Sequence, residues 1–135
     1  MSLFVDTSVW SLAFRRDSPA GVPEVRRLRD ALTDGESVHA NGLVLQELLQ
    51  GWSGPRDGER IIDRLADISM VMPTLDDHIE AASIRNECRR RGIQVGTIDS
   101  LLAQICIRHN LVMLTCDQDF THIARHTPLR VWHTH

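Results

Sequence analysis

Two continuous apolar runs, Leu3-Phe4-Val5 near the start and Leu111-Val112-Met113-Leu114 near the end, constrain the fold more than any other feature of the chain. Neither alternates apolar with polar residues, so neither fits a strand with one wet face. Both are also too short for a helix. Strands like these are buried on both sides, the condition of a parallel sheet covered by helices.

The segments between the two runs supply the helices. Thr7 or Ser8 is placed to cap a short helix toward Phe14, and Asp17–Gly21 reads as a loop. Val22, Val25, Leu28 and Leu32 mark an amphipathic helix ending near Asp34-Gly35, followed by a brief strand over Ser37-Val38-His39. Asn41 caps a helix that stops at Gly51. Ser53-Gly54-Pro55 breaks the chain before a helix carrying Ile61, Ile62, Leu65 and Ile68. Met70-Val71-Met72 is a third strand, closed by Pro73. Thr74 caps a helix to about Arg91, and Thr97 caps another to about His109. After Val112–Leu114 come a short helix over Phe120–Arg125 and a last strand over Arg130-Val131-Trp132. The reading is one α/β domain over residues 1–135, with three α/β/α layers around a parallel sheet.

Both apolar runs lead to acids: Asp6 directly after the first, and Asp117 and Asp119 shortly after the second. In open α/β sheets, ligands bind outside the carboxyl ends of the strands. Carboxylates gathered there repel one another, and a hard cation relieves the repulsion. An acidic metal site is therefore expected. A structural role competes at each position, since Asp is a common helix cap and turn residue. Glu47 lies in the otherwise apolar Val44-Leu45-Gln46-Glu47-Leu48-Leu49, where a solvated face also accounts for it. Asp99 sits in a helix's first turn, where the dipole favours an acid; Asp76 and Asp77 sit in a similar setting, so that position alone does not single out Asp99.

Composition excludes several classes. The chain has three widely spaced cysteines, Cys88, Cys106 and Cys116, and no C-x-x-C pair, which argues against a disulfide framework and a zinc site. His122 and His126 lack the surroundings of a metal-binding helix, and the expected helix ends between them. All 15 basic residues are arginine. Without lysine, a response-regulator receiver domain is excluded, and Ser8 stands where a haloacid-dehalogenase-like phosphatase needs a second Asp. The start shows no signal-peptide pattern and no apolar stretch is long enough for a membrane helix, so a cytoplasmic protein is expected. Arg15, Arg16, Arg89, Arg90 and Arg91 are candidates for contacts to a phosphate backbone, against the plainer reading of solvated helix ends. Trp10 and Trp52 could stack on bases, but core or interface packing is the favoured reading for both.

Four segments taken together, Val5–Trp10, Leu45–Gly51, Thr97–Ala103 and Leu114–Phe120, resemble a PIN-domain protein, and more narrowly the VapC-type toxin ribonucleases of bacterial toxin–antitoxin pairs. The resemblance spans essentially the whole chain. It implies a sheet in the order 3-2-1-4-5 with an acidic cluster at the strands' carboxyl ends. Asp6, Glu47, Asp99 and Asp117 match the family's acidic positions, Asp119 the accompanying acid of the last motif, and Ser8 a hydroxyl position that orients a carboxylate. Cys116 stands near a place where the family often has Asn. The resemblance implies Mg²⁺ or Mn²⁺, with Asp6 and Asp99 as direct ligands and Asp117 and Asp119 in the metal set. It also implies an endoribonuclease whose metal-activated water leaves a 5′-phosphate and a 3′-hydroxyl. The implied partners are RNA, a cognate VapB-like antitoxin and a second copy of the chain. The competing readings are a non-catalytic PIN-fold module that binds RNA or protein, and a DNA nuclease.

Overall fold

The computed structural model describes residues 1–15, 21–52 and 54–134. In chain order the elements are β1 (Leu3–Val5), α1 (Thr7–Phe14), α2 (Pro23–Asp34), β2 (Val38–Ala40), α3 (Gly42–Gly51), α4 (Pro55–Leu65), β3 (Ser69–Met70), α5 (Leu75–Arg90), α6 (Thr97–Arg108), β4 (Val112–Leu114), α7 (Gln118–Ala124) and β5 (Arg130–Val131). The strands form one sheet in the order β3-β2-β1-β4-β5, and every pairing is parallel. This is the three-layer α/β/α arrangement and the strand order expected from the sequence.

The apolar runs account for the centre. Leu3, Phe4, Val5, Met113 and Leu114 are fully buried, because β1 and β4 lie side by side with helices on both faces. Each such side chain contributes roughly 1.5–3 kcal/mol on leaving water. β3 shows the reverse at the sheet's edge, where Met70 is exposed. The Val71 N–H still donates to Ala40 O at 2.9 Å, so pairing runs past the strand's nominal end until Pro73, which has no N–H to give. Likewise the Trp132 N–H donates to Met113 O at 2.9 Å, beyond β5. The expected strands over 70–72 and 130–132 are thus shorter as regular elements, and β2 begins at Val38 rather than Ser37.

Two expected caps are corrected. The N-cap of α1 is Asp6, not Thr7 or Ser8, because β1 ends at Val5 and leaves only one residue before the first helical turn. The Asp6 side chain nevertheless makes no capping bond, and the hydroxyls of Thr7 and Ser8 turn elsewhere. The N-cap of α6 is Gly96, with Thr97 already inside the helix. Asn41 and Thr74 cap α3 and α5 through their side chains. The loop expected over 17–21 and the break at Ser53 lie wholly or partly outside the described residues, but Gly54 and Pro55 open α4. Gly54 has φ of +95°, a value glycine reaches without a side-chain clash.

This topology positions the site. The chain leaves β1 for β2 on one side and reaches β4 on the other, so strand order reverses at the β1–β4 pair. At such a switch point the connections after adjacent strands diverge and open a crevice at the sheet's carboxyl edge. Asp6 follows β1 there, and Thr115, Cys116 and Asp117 follow β4.

Candidate metal centre

Asp6 is the anchor. Its residue is only 5% exposed, and both carboxylate oxygens are held. Ser8 Oγ donates to Oδ1 at 2.6 Å and Thr115 Oγ1 donates to Oδ2 at 2.9 Å. Each hydroxyl in turn accepts a backbone N–H, Ser8 from Cys116 and Thr115 from Asp117, both at 2.9 Å. A hydroxyl has one proton to give. With the amides directed at the hydroxyl oxygens, those protons are committed to Asp6. The β4–α7 connection therefore fixes the carboxylate that β1 delivers, through two hydroxyl relays. Burial still prevails over these bonds and the carboxyl's pKa is pushed up to about 6, with Asp117 adding repulsion.

The other acids come from separate elements. Asp99, half-buried in the first turn of α6, also rises to about 6 through burial and then through repulsion from Asp117, Asp119, Asp6 and Glu47. The Asp99 carboxyl thus feels the charge of all four of the other acids expected from the sequence. Asp99, Asp117 and Asp119 offer carboxylate oxygens that all lie within 4.8 Å of one another. Asp117 Oδ1 accepts the Asp119 N–H at 2.9 Å and so caps α7 while facing the cluster. Glu47, on α3, accepts a hydrogen bond from Thr7 Oγ1 at 3.0 Å. Among the described residues, no ion pair reaches any of these five acids.

The donor set suits a hard divalent cation. It is all oxygen, carries several negative charges, and includes two carboxyls whose ionised forms lack a positive partner. Cys88 and Cys106 are buried free thiols and Cys116 is an exposed one, and neither these nor His122 and His126 are among the three clustered acids.

Two contributors escaped the sequence reading, Thr115 and Thr7. Thr7 adjoins Asp6 and opens α1, and Thr115 follows β4 two residues before Asp117. Tertiary structure assigns them, since Thr115 reaches Asp6 across 109 positions and Thr7 reaches Glu47 across 40.

The arginine candidates fare differently. Arg90 and Arg91 both bond to Glu87, at 2.5 and 3.0 Å, and Arg89 donates to Asn86 Oδ1 at 2.9 Å. Arg90 and Arg91 thus share one carboxylate, which offsets one of their two charges. Arg89 and Arg85 line a cleft of about 400 Å³ with Gly96, at the start of the helix that carries Asp99. Arg15 is exposed and lines a separate cleft of about 570 Å³ with Trp10, Phe14, Arg29, Arg60 and Arg64. The Arg60 guanidinium lies 5.5 Å from the Phe14 ring centroid and donates to the Phe14 carbonyl. Arg16 lies outside the described residues. Trp10 is buried, donates to Val5 O at 3.1 Å and stacks on Phe14 at 5.9 Å, so it serves packing.

Comparison with known proteins agrees with this geometry. The family model described as PIN domain matches residues 3–126. The chain is 31% identical to ribonuclease VapC11 of Mycobacterium tuberculosis, over 95% of this chain and 96% of the relative. VapBC2 from Rickettsia felis, solved bound to a DNA fragment from its promoter, shares the fold with a TM-score of 0.77 at 18% identity, covering 98% of each chain. VapC20 of M. tuberculosis, a sarcin–ricin loop cleaving toxin, superposes with a TM-score of 0.65 at 20% identity, over 89% of this chain and 93% of that one. A family model spanning nearly the whole chain, together with that identity over nearly full length, makes this chain a member of the PIN-domain family, among the VapC ribonucleases.

Proposed function

We propose that this protein is a divalent-metal-dependent endoribonuclease that cleaves phosphodiester bonds at the Asp6–Glu47–Asp99–Asp117–Asp119 cluster, and a toxin restrained by a VapB-like antitoxin. The observation that carries the reading is the grouping of Asp99, Asp117 and Asp119, whose carboxylate oxygens lie within 4.8 Å of one another. Asp6 and Glu47 add to the repulsion at Asp99, and no ion pair among the described residues compensates these acids. Stability alone would not select such a grouping, because each uncompensated carboxylate opposes folding.

A bound Mg²⁺ or Mn²⁺ supplies Lewis acidity toward the phosphodiester and lowers the pKa of a coordinated water. Asp99, Asp117 and Asp119 would hold it, with Asp6 completing the set. Asp6 is suited to this because its oxygens are already oriented by Ser8 and Thr115 and need little reorganisation. Glu47 is assigned the proton transfer. Thr7 occupies Oε1, which leaves Oε2 to accept a proton from the attacking water.

The arginine-lined cleft beside Phe14 is suited to a segment of the antitoxin, with cations and apolar surface side by side. Homodimerisation is supported by the exposed apolar residues Met72, Leu75, Ile79 and Ile98 around α5 and α6. Among the described residues no helix is long and apolar enough to cross a membrane.

The test is cleavage of total cellular RNA by purified protein with Mn²⁺, with Mg²⁺ and with EDTA, beside Asp6→Asn. Discrete metal-dependent products from the wild type alone are expected. RNA binding without cleavage by a folded, metal-loaded wild type would instead identify a non-catalytic module. Equal cleavage of a matched DNA strand would identify a general nuclease.

A further inference from the structure

Asp117, one of the clustered acids, also lines a separate cleft of about 240 Å³. Glu24, Cys116, Gln118, Trp132 and His133 are among the other residues that line it. We propose that this cleft is a base-binding subsite that takes guanine from the nucleotide adjoining the scissile phosphate. The proposal rests on the nuclease reading above for the presence of RNA, and on the cleft's own chemistry for the identity of the base.

Size and position limit the occupant. The cleft is smaller than the roughly 300–1,000 Å³ of sites for drug-sized ligands, which suits one base. It shares Asp117 with the acidic cluster, so a base seated in it belongs to a nucleotide next to the reacting phosphate. For that phosphate to reach carboxylates recessed at a sheet edge, its neighbouring bases must be unstacked, and an unstacked base is stabilised by a new platform. Trp132 supplies one. Its backbone N–H is fixed to Met113 O at 2.9 Å and its side chain packs half-buried against the core, so the indole is held by the central sheet.

Glu24 supplies the selectivity. It projects from the first turn of α2, and its Oε1 is met by the Cys116 thiol at 3.7 Å, a weak donor that a base edge can replace. A carboxylate only accepts hydrogen bonds. Guanine alone offers two adjacent donors, N1–H and the N2 amino group, to its two oxygens. Adenine and cytosine place an acceptor beside their amino group, and uracil flanks its single N–H with two carbonyls. An acidic wall repels phosphate but attracts this edge, so the base rather than the backbone enters the cleft.

Binding and cleavage test the idea separately. Asp6→Asn protein, unable to cleave, is titrated with two fluorescent RNA hexamers that differ only in one central guanine or uracil. The guanine strand is expected to bind about 5- to 150-fold more tightly, the range for one bidentate base contact. Adding Glu24→Gln brings the two strands within about twofold, because an amide presents one donor where guanine needs an acceptor. Trp132→Ala weakens both strands together by about 5- to 150-fold, the range for one lost stack. Trp132→Phe, which keeps an aromatic platform and the packing, restores most of it. Equal affinity for the two strands, or a preference that survives Glu24→Gln, overturns the proposal even if wild type cleaves RNA. Guanine-selective binding that depends on Glu24, in a wild type that cleaves nothing, leaves the subsite standing and removes the nuclease.

Discussion

Asp77 and Asp99 hold the same position, third residue of the helix, in α5 and α6, two helices that pack against each other. Asp77 is completely buried, yet its carboxyl lies far below the usual range. Arg108 Nε donates to it at 2.7 Å, and the Thr74 N–H donates at 2.9 Å as half of a capping box. Asp99 is only half-buried, yet its carboxyl is pushed up to about 6. The difference lies in the company each keeps. Asp77 follows a threonine cap and meets a guanidinium, while Asp99 follows a bare glycine and meets acids. One carboxylate holds two helices together, and the other is left available for a cation.

Exchanging the roles should separate folding from chemistry most sharply. Asp99→Asn is expected to lower cleavage by about a thousandfold, several kcal/mol of lost metal chemistry, while the metal-free protein becomes more stable. Asp77→Ala is expected to do the opposite. Breaking a buried ion pair costs about 3–5 kcal/mol, which we reduce to about 2–3 because Arg108 can still reach water. That corresponds to a fall in Tm on the order of 10 °C, with cleavage per folded molecule retained. Thermal denaturation and initial rates on the two variants decide it. A large stability loss in Asp99→Asn would place Asp99 with Asp77 as a structural acid.

Metal addition sharpens the same contrast. Mn²⁺ at about 100 times its Kd should stabilise the wild type by about 2.7 kcal/mol and do far less for Asp99→Asn. Asp77→Ala should gain as much as the wild type, since its cluster is intact. Equal gains in all three proteins would mean that the cation binds elsewhere.

The two kinds of acid also respond to pH with opposite signs. Asp6 and Asp99 have folded pKa values raised from 3.8 to about 6, so their contribution to stability is complete below about 3.8 and is lost as pH rises through 6. For buried Asp6 the loss is on the order of 3 kcal/mol. Asp77 has a lowered value, so its contribution is present above 3.8 and disappears as pH falls below that. The metal-free protein should therefore be most stable near pH 4–5, and saturating Mn²⁺ should move the optimum toward neutrality. A Tm that climbs steadily from pH 5 to 8 without metal would contradict the unpaired state of the cluster.

Much of this was legible in the sequence, and the exceptions have physical causes. The parallel sheet and its covering layers follow from short, fully apolar runs, while the strand order came from the family resemblance. Asp6, Asp117 and Asp119 were readable because they follow strand ends, whereas Glu47 and Asp99, inside α3 and α6, were singled out by the resemblance. Separating Asp99 from Asp77 rested on the resemblance alone while Thr97 was taken for a cap. Once Gly96 is recognised as the cap, Thr74-x-x-Asp77 fits a capping box and Gly96-x-x-Asp99 does not. Ser8, two residues from Asp6, was already readable as an orienting hydroxyl, but the Thr115 relay stayed hidden for a different reason. Thr115 finds Asp6, and the Cys116 N–H finds Ser8, only after β4 has paired with β1, and no local pattern encodes a contact between residues more than a hundred positions apart.

The smallest effect concerns those relays. Thr115→Val keeps the shape of the side chain and removes its hydroxyl. The Asp117 N–H then loses its acceptor and Asp6 Oδ2 loses a donor, a cost of about 1–2 kcal/mol in stability. Cleavage should fall about 10- to 100-fold, as for other residues that orient a metal ligand. The sign of the pH effect identifies the cause. Losing a hydrogen bond to the ionised carboxylate raises the Asp6 pKa further, so the acidic limb of the rate profile should move to higher pH. Thr115→Ser should return that limb and most of the rate. An unshifted limb with reduced kcat would mean that Thr115 acts on the position of Asp117 rather than on the charge of Asp6.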